Sequence, residues 1–153
     1  MDKPILGNNI VVQIGILCHD IEQTKKDWAE FLGVEVPPTG MTGEAKDAKT
    51  EYLGKPSAAR TKQAFFSVGP NVDIELLEPD KDMNSTWRQD LEKQGEGFHH
   101  IAFNVKSMKD GIEASEKMGY KLLQRGQWDT GCYAYLDAKK QLKLVLELLE
   151  HWE

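Results

Sequence analysis

The sequence contains two nearly identical runs, Ile74-Glu75-Leu76-Leu77-Glu78 and Leu146-Glu147-Leu148-Leu149-Glu150. Each run follows a second strand-like stretch, at residues 64–68 and 133–137, and a turn-rich segment separates the members of each pair. Short apolar runs bounded by turn residues are typical of β-strands. Two matching strand pairs in one chain indicate an internal repeat.

The two halves of the chain also open alike. A strand-like run at 11–17 precedes a helix-like segment at 21–32, and a run at 99–105 precedes a helix-like segment at 108–118. Polar N-caps and glycine stops are the usual signals of helix boundaries. Both helices carry them: Asp20 and Ser107 as N-caps, Gly33 and Gly119 as stops.

Further strand-like runs at 34–36 and 120–124 complete a βαβββ pattern in each half. We therefore predict an α+β fold in which two βαβββ repeats form a curved, partly open mixed sheet of about eight strands around a cleft. A short helix beginning after Ser85 links the repeats. The expected organisation is one domain, 1–153, with repeat 1 at about 9–80, the linker at 84–95 and repeat 2 at about 97–150.

The halves differ in length. Gln13 and Glu75 are 62 positions apart, whereas His100 and Glu147 are 47 positions apart, a difference of 15. The additional residues fall in the segment 37–62, which is rich in Pro, Gly and Lys. An insertion of this size is either a lid over a binding site or a surface excursion without function.

Four polar residues occupy equivalent positions in the predicted strands: Gln13, Glu75, His100 and Glu147. Alternation places each of them on the face opposite its apolar neighbours. Gly15 and Ala102 follow two positions after Gln13 and His100, which leaves room for a ligand. The same alternation predicts that His99 faces away, so we exclude it as a ligand.

These four side chains form a donor set suited to one divalent metal ion. Two carboxylates, one imidazole and one amide oxygen carry a charge of −2, and the mixture of oxygen and nitrogen suits Mn, Co, Ni or Zn with water sites left open. A closed structural zinc site would favour cysteine ligands, which this set lacks.

Composition excludes several other classes. The formal net charge of −6 argues against nucleic acid as a partner, and no apolar run approaches the length of a membrane span. The first residues, MDKPILGNNI, lack the features of a signal peptide. Cys18 and Cys132 are too few for a disulfide framework, so we expect two buried, reduced thiols in a cytoplasmic protein.

The chain resembles the vicinal-oxygen-chelate (glyoxalase/bleomycin resistance/dioxygenase) superfamily from about Val11 to Glu150. The runs Val72–Pro79 and Gly95–Phe103 are similar to motifs of the methylmalonyl-CoA epimerases. In such enzymes the metal ligands come from the first and last strands of each repeat. Epimerases carry a His where this chain has Gln13, and the Gln/Glu/His/Glu set resembles instead that of the zinc-using glyoxalase I.

The resemblance implies a metal-dependent lyase or isomerase that removes a proton next to a carbonyl, as glyoxalase I and the epimerases do. A metal stabilises the resulting enolate, and a carboxylate takes the proton. Glu147 is our first candidate base and Glu75 the second. Lys55, Arg60 and Lys62 either pair with an anionic group of the small-molecule substrate or are simply solvated.

Two alternative classes of protein remain at this point, and the sequence leaves the substrate open among an acyl-CoA, a thiol adduct and a sugar-like or hydroxyketone metabolite. A dioxygenase of the same fold would need two His and one carboxylate, and the four positions hold one His. A metal-free binding protein of the bleomycin-resistance type would have no reason to keep four metal donors. The resemblance also implies a homodimer, with Trp87 or Trp128 at the contact or, alternatively, in the core or at the rim.

Overall fold

The computed structural model describes residues 2–153, and within them the chain forms four helices and ten strands. The helices are α1 (Ile21–Leu32), α2 (Ala45–Ala48), α3 (Thr86–Gln94) and α4 (Met108–Lys117). The strands are β1 (Val11–Leu17), β2 (Gly40–Met41), β3 (Glu51–Tyr52), β4 (Lys55–Pro56), β5 (Thr61–Ser67), β6 (Asp73–Pro79), β7 (Gly97–Asn104), β8 (Lys121–Trp128), β9 (Gly131–Ala138) and β10 (Leu144–His151).

All ten strands join one mixed sheet that curls into an open half-barrel, which confirms the predicted α+β fold. The strand order is β2-β5-β6-β1-β7-β10-β9-β8-β3-β4. Strand β1 is parallel to β6, β7 is parallel to β10, and β1 and β7 pair antiparallel at the centre. The last strand of each repeat therefore flanks its first strand, and the two repeats meet along β1 and β7.

The three longer helices begin as the sequence predicts. The side chain of Asp20 accepts a hydrogen bond from the amide of Gln23 (3.1 Å), and Ser85 and Ser107 cap α3 and α4 in the same way. Helix α1 ends at Gly33, whose φ of 69° is a left-handed conformation that glycine adopts without a Cβ penalty. Local side-chain bonds thus fix where each helix starts.

The segment 37–62 differs most from expectation. No strand forms at 34–36; instead the segment contributes β2, α2, β3 and β4, which raises the strand number above eight. Strand β2 pairs with β5 at one edge of the sheet, whereas β3 pairs with β8 at the opposite edge. The insertion therefore passes from one edge of the half-barrel to the other.

The apolar core has three parts. One cluster lies under α1 and includes Ile21, Phe66 and Leu76. A second lies under α4 and includes Ile112 and Leu148. The third fills the interior of the sheet around α3, and its buried members are Leu17, Leu77, Trp87, Leu91, Tyr133, Tyr135 and Val145.

The two cysteines are free, as predicted. Cys18 is buried and its thiol donates to the carbonyl of Leu77 (3.5 Å), and burial raises the pKa of that thiol to about 11. Cys132 is half-buried rather than buried. No helix within residues 2–153 is long and apolar enough to cross a membrane.

Leu148 offers a direct test of the core under α4. Its side chain is fully buried, so Leu148→Ala should lower the free energy of unfolding by about 2–5 kcal/mol through lost burial and the remaining cavity. The matched change Leu142→Ala removes the same atoms from a side chain that is 47% exposed and should cost less than about 0.5 kcal/mol. Urea unfolding measures both, and equal losses would contradict this account of the core.

Candidate metal centre

The four predicted side chains lie on the four central strands of the sheet, β6-β1-β7-β10. In the register of the sheet, Glu75 is the neighbour of Gly15 on β1, and Glu147 is the neighbour of Ala102 on β7. The two repeats therefore place their ligand side chains in equivalent positions on either side of the β1–β7 seam. The structure brings all four together.

The donor atoms meet around the imidazole of His100. Its Nε2 lies 2.9 Å from Glu147 Oε2, 3.5 Å from Glu75 Oε1 and 3.1 Å from the Oε1 position of Gln13. Ligand atoms of Glu75, His100 and Glu147 all lie within 4.8 Å of one another, and all three residues are buried. The three form a compact group able to hold a metal ion.

Gln13 completes the group with one end of its side-chain amide. The amide atom that faces the cluster is 3.2 Å from Glu75 Oε1 and 2.6 Å from Glu147 Oε2. Without a cation, the amide nitrogen in this position donates hydrogen bonds to both carboxylates. With a cation, half a turn about the last side-chain bond presents the oxygen instead.

Gly15 provides the room that the His100 ring needs. A Cβ built on Gly15 would lie 2.0 Å from Cε1 and 2.3 Å from Nδ1 of that imidazole. The small residue therefore makes space for a neighbouring ligand side chain. The room that the sequence predicts beside Gly15 is thus filled by the imidazole of His100.

His99 does not face away from the centre, and the expectation from simple alternation is wrong here. The pairing of β1 with β7 shifts by one residue between Gly15 and Ile16, which leaves His99 as an extra residue in a β-bulge. The ring of His99 is buried, and its Nδ1 lies 3.0 Å from the Nδ1 of His100. Because its other nitrogen contacts Asp90 (2.8 Å), His99 lies behind the donor group rather than in it.

Opposing electrostatic effects set the protonation of this centre. Burial favours the neutral form of His100, but the carboxylates of Glu147 and Glu75 outweigh it and raise the pKa of His100 to about 9. Burial also raises the pKa of Glu147, against the opposing effect of His100. For His99, burial dominates over the nearby Asp90 and lowers the pKa to about 4.

The centre forms the floor of a cleft of about 680 Å³ inside the half-barrel. The insertion contributes Thr42, Ala48 and Thr50 to its wall, so the segment covers the cleft. The remaining lining residues are Val12, Phe65, Pro70, Trp87, Trp128, Tyr133, Tyr135 and Leu149, which are apolar or aromatic, and Gln63, Asn71, Asp73, Asn104, Gln127 and His151, which are polar.

The predicted basic set lies elsewhere. Lys55, Arg60 and Lys62 do not line the cleft. Lys62 pairs with Glu78 (3.1 Å), and Arg60 donates to the carbonyl of Thr42 (2.9 Å). Of the two alternatives that the sequence left open for these residues, their position outside the cleft favours the one without a substrate contact.

Three side-chain contacts around the centre were not predicted from the sequence. The amide of Gln63 donates to Oε2 of Glu75 (2.8 Å), Asp90 holds His99, and Tyr135 packs on the ring of His100 with centroids 5.1 Å apart. Alternation would have revealed the cleft-facing side of β5, since Gln63 and Phe65 share one face. No local signal pairs Asp90, on a helix, with the bulged His99.

The donor set fits a divalent cation. Two carboxylates balance its charge, and His100 and Gln13 add a nitrogen and an oxygen ligand from adjacent strands. Gln13, Glu75 and Glu147 line the floor of the cleft and His100 is fully buried beside them, so that the four side chains could hold one ion together.

Comparison with known proteins agrees with this architecture. Residues 12–135 match the profile of the Glyoxalase/Bleomycin resistance protein/Dioxygenase superfamily. Because the match covers most of the chain, the chain belongs to this superfamily. Several solved structures, among them methylmalonyl-CoA epimerases, share its fold.

The solved structures share the fold at low sequence identity. A hypothetical protein from Bacillus halodurans C-125 superposes with a TM-score of 0.64 at 24% identity, covering 94% of this chain and 95% of that one. The methylmalonyl-CoA epimerase of Mycobacterium tuberculosis gives a TM-score of 0.66 at 16% identity, covering 100% and 93%. That of Streptomyces coelicolor, in complex with 2-nitronate-propionyl-CoA, gives 0.62 at 23% identity, covering 92% and 96%.

One curated relative is similar over part of its length. The uncharacterized protein YqjC of Bacillus subtilis (strain 168) is 37% identical over 62 residues, which are 40% of this chain and 43% of that protein. This match does not extend to the whole of either protein.

We predict that the purified protein binds about one divalent ion per chain through the four residues. Glu75→Ala and His100→Ala should abolish saturable binding of Zn²⁺ or Mn²⁺ and leave a folded protein, because neither residue belongs to the apolar clusters. Calorimetric titration with the metal provides the measurement, and circular dichroism verifies folding. The exposed His19 supplies the control, since His19→Ala should bind metal as the unmodified protein does. Full binding by His100→Ala would refute the assignment.

Metal affinity should also depend on pH in a defined direction. In the metal-free protein His100 keeps its proton up to a pKa of about 9, but only a neutral imidazole binds metal. Binding at neutral pH should therefore release about one proton, and affinity should rise about tenfold per pH unit as pH increases toward 9. Titrations in two buffers of different ionisation enthalpy measure the proton. Affinity that is independent of pH over this range would contradict the inferred protonation.

Proposed function

We propose that the protein is a metal-dependent isomerase, epimerase or glyoxalase-type lyase that moves a proton at a carbon beside a carbonyl. The proposal rests on the convergence of four side chains at the floor of the cleft: Gln13, Glu75, His100 and Glu147. Such a site combines a place for a Lewis acid with carboxylates close to the bound substrate.

The carbon acid in this reaction is weak, so the site must stabilise the negative charge that develops on the carbonyl oxygen. A divalent ion held by the four residues supplies that stabilisation as a Lewis acid, worth several kcal/mol. Gln13, Glu75 and Glu147 line the cleft, so an ion held there would be within reach of a substrate bound in it.

Glu147 is the better candidate for the general base. Gln63 donates to the second carboxylate oxygen of Glu75 and so holds that side chain in place. Glu147 contacts His100 and the Gln13 amide through Oε2 (2.9 and 2.6 Å). Within residues 2–153 no side-chain amide binds its other oxygen, which leaves Oε1 free to turn toward the substrate carbon. Burial raises the pKa of Glu147, which makes it a stronger base than an exposed carboxylate.

Glu75 is suited to a second role on the opposite side of the substrate. The two carboxylates approach the donor group from β6 and β10, on either side of the β1–β7 seam. An epimerase needs proton transfer on both faces of one carbon, and this placement provides a carboxylate for each. In an isomerase or lyase, Glu75 serves mainly to hold the metal ion.

The walls of the cleft keep water away from the reacting groups. Aromatic side chains surround the floor, and the insertion covers it from one edge of the sheet to the other. A dry cleft strengthens every charge interaction inside it and limits loss of the abstracted proton to solvent.

The alternatives remain open to test. A dioxygenase would need a second His at the centre, but His99 is engaged by Asp90 and His100. A metal-free binding protein would hold a ligand in the cleft without reaction. Such a protein would have no need for two buried carboxylates beside a His. Metal titration and proton exchange distinguish these classes.

The reaction can be tested without knowledge of the product. The metal-loaded protein is incubated in deuterated water with 2-oxo acids, hydroxyketones and acyl thioesters, and label at the α-carbon is followed by NMR. At least one class should exchange, and Glu147→Gln should slow its exchange by roughly 10²–10⁴-fold while retaining most of the metal.

The exposed Glu116 on α4 provides the matched control, since Glu116→Gln makes the same chemical change away from the cleft and should leave exchange unchanged. If Glu147→Gln exchanges as fast as the unmodified protein, Glu147 is not the base.

We also propose that the chain forms a homodimer, as its superfamily resemblance implies. Trp87 is 2% exposed and donates to the hydroxyl of Tyr135 (3.0 Å), so it belongs to the core rather than to a subunit contact. Trp128 lines the cleft. Light scattering at micromolar concentration should give twice the monomer mass of 17.3 kDa, and a strict monomer would rule out the dimer.

A further inference from the structure

The charges that line the cleft are unusual for a site that would receive an anion. Among residues 2–153, three carboxylates line it, Asp73, Glu75 and Glu147, and no lysine or arginine does. A divalent ion would balance Glu75 and Glu147 and leave the charge of Asp73. Apart from such an ion, His151 is the group of the described lining that can become positive, and its ring contacts Asn104 Oδ1 (3.2 Å). The local field therefore opposes phosphates and free carboxylates.

Asp73 occupies a place from which it can select a substrate. It lies two residues before Glu75 on β6 and is half-buried on the same side of the sheet. Within residues 2–153 its carboxylate makes neither an ion pair nor a side-chain hydrogen bond. A carboxylate in this state accepts hydrogen bonds from hydroxyl donors of a ligand.

The walls of the cleft suit a polyhydroxylated molecule. The amides of Gln63, Asn104 and Gln127 offer donors and acceptors for hydroxyl groups. Phe65 and Trp128 offer flat apolar faces for the carbon skeleton. A volume of about 680 Å³ accommodates a compound of several carbons.

We infer that the substrate is a neutral hydroxylated carbonyl compound, such as a hydroxyketone or sugar, whose hydroxyl donates to Asp73. This inference rests on the proposed function and narrows it. It disfavours substrates that place a phosphate group inside the cleft.

Matched compounds test the inference. Dihydroxyacetone and fructose are compared with their phosphate monoesters on the metal-loaded protein, with binding followed by saturation-transfer NMR and turnover by α-carbon deuterium exchange. Each neutral ketone should bind at least about tenfold more tightly than its phosphate because the phosphate meets the negative cleft. Asp73→Lys should reduce this preference by about tenfold. Glu113→Lys, the same charge reversal on the exposed face of α4, should not.

Equal or tighter binding of the phosphates, or binding of neither member of both pairs, would overturn the inferred substrate class. Binding of the neutral ketones without exchange would support the class and contradict the proposed proton transfer. An unchanged preference in Asp73→Lys would remove Asp73 from the selection.

A second inference concerns residues behind the metal centre, and a different set of contacts carries it. Asp90 Oδ2 lies 2.8 Å from Nε2 of His99, and Nδ1 of His99 lies 3.0 Å from Nδ1 of His100. Lys139 and Thr86 donate to Asp90 (2.7 and 2.9 Å), so its carboxylate is fixed in place.

These contacts dictate which nitrogens carry protons. A carboxylate can only accept, so Nε2 of His99 must donate to Asp90, and the neutral ring then has a bare Nδ1. That nitrogen accepts a hydrogen bond from the Nδ1–H of His100. When His100 is neutral, as metal binding requires, its Nε2 is thereby left as a bare lone pair directed at the other three donors.

We propose that Asp90 and His99 are positioning residues that hold His100 in its metal-binding tautomer. In Asp90→Asn, Lys139 should keep the amide oxygen, which turns the amide nitrogen toward His99 and reverses the proton pattern along the chain. Metal affinity should fall about 10–100-fold. Thr86→Val removes another hydrogen bond to the same carboxylate without reversing the tautomers and serves as the control.

Two readouts test this second proposal. Calorimetry with Zn²⁺ gives the affinity, and long-range ¹H–¹⁵N NMR of the histidine rings reports the tautomer directly. In the unmodified Zn²⁺-loaded protein the proton of His100 should reside on Nδ1. An Asp90→Asn protein with unchanged affinity and unchanged tautomers, or a Thr86→Val protein that loses as much affinity, would overturn the proposal.

Discussion

The structure depends on one electrostatic constraint, the burial of the Glu75 and Glu147 carboxylates beside each other. Two like charges about 4 Å apart repel by about 4 kcal/mol at an effective dielectric of 20. Their ligand atoms lie within 4.8 Å of one another and of His100, so the site needs positive charge to be stable. A proton on His100 supplies it in the metal-free protein, and a divalent ion would supply it more fully.

The architecture around this centre serves that constraint. Each repeat brings one carboxylate next to a small residue, Glu75 beside Gly15 and Glu147 beside Ala102, so that side chains from adjacent strands can converge. Position 15 requires glycine because any Cβ there would overlap the imidazole of His100. The insertion at 37–62 then encloses the centre in a cleft. Stability and the proposed chemistry thus depend on the same few contacts.

The repeat made the fold and the four donors predictable from the sequence, because equivalent strands carry equivalent side chains on one face. Alternation failed at His99, since the bulge that turns it inward arises from pairing between distant strands. The strands of the insertion could not be predicted from the sequence, nor could the contact of Gln63 with Glu75. Both depend on which strands become neighbours in the sheet. No strand forms at 34–36, and the next residues to join the sheet are those of β2, which pairs with β5.

If one ion binds Gln13, Glu75, His100 and Glu147 together, X-ray absorption spectroscopy of the Zn²⁺-loaded protein will detect these ligands directly. We expect one imidazole nitrogen and oxygen ligands at about 2.0–2.2 Å from the metal. The imidazole signal should be lost in a His100→Ala protein, and one oxygen ligand should be lost in a Gln13→Ala protein. A shell that contains sulfur, that contains two imidazoles, or that is unchanged by both substitutions would contradict it.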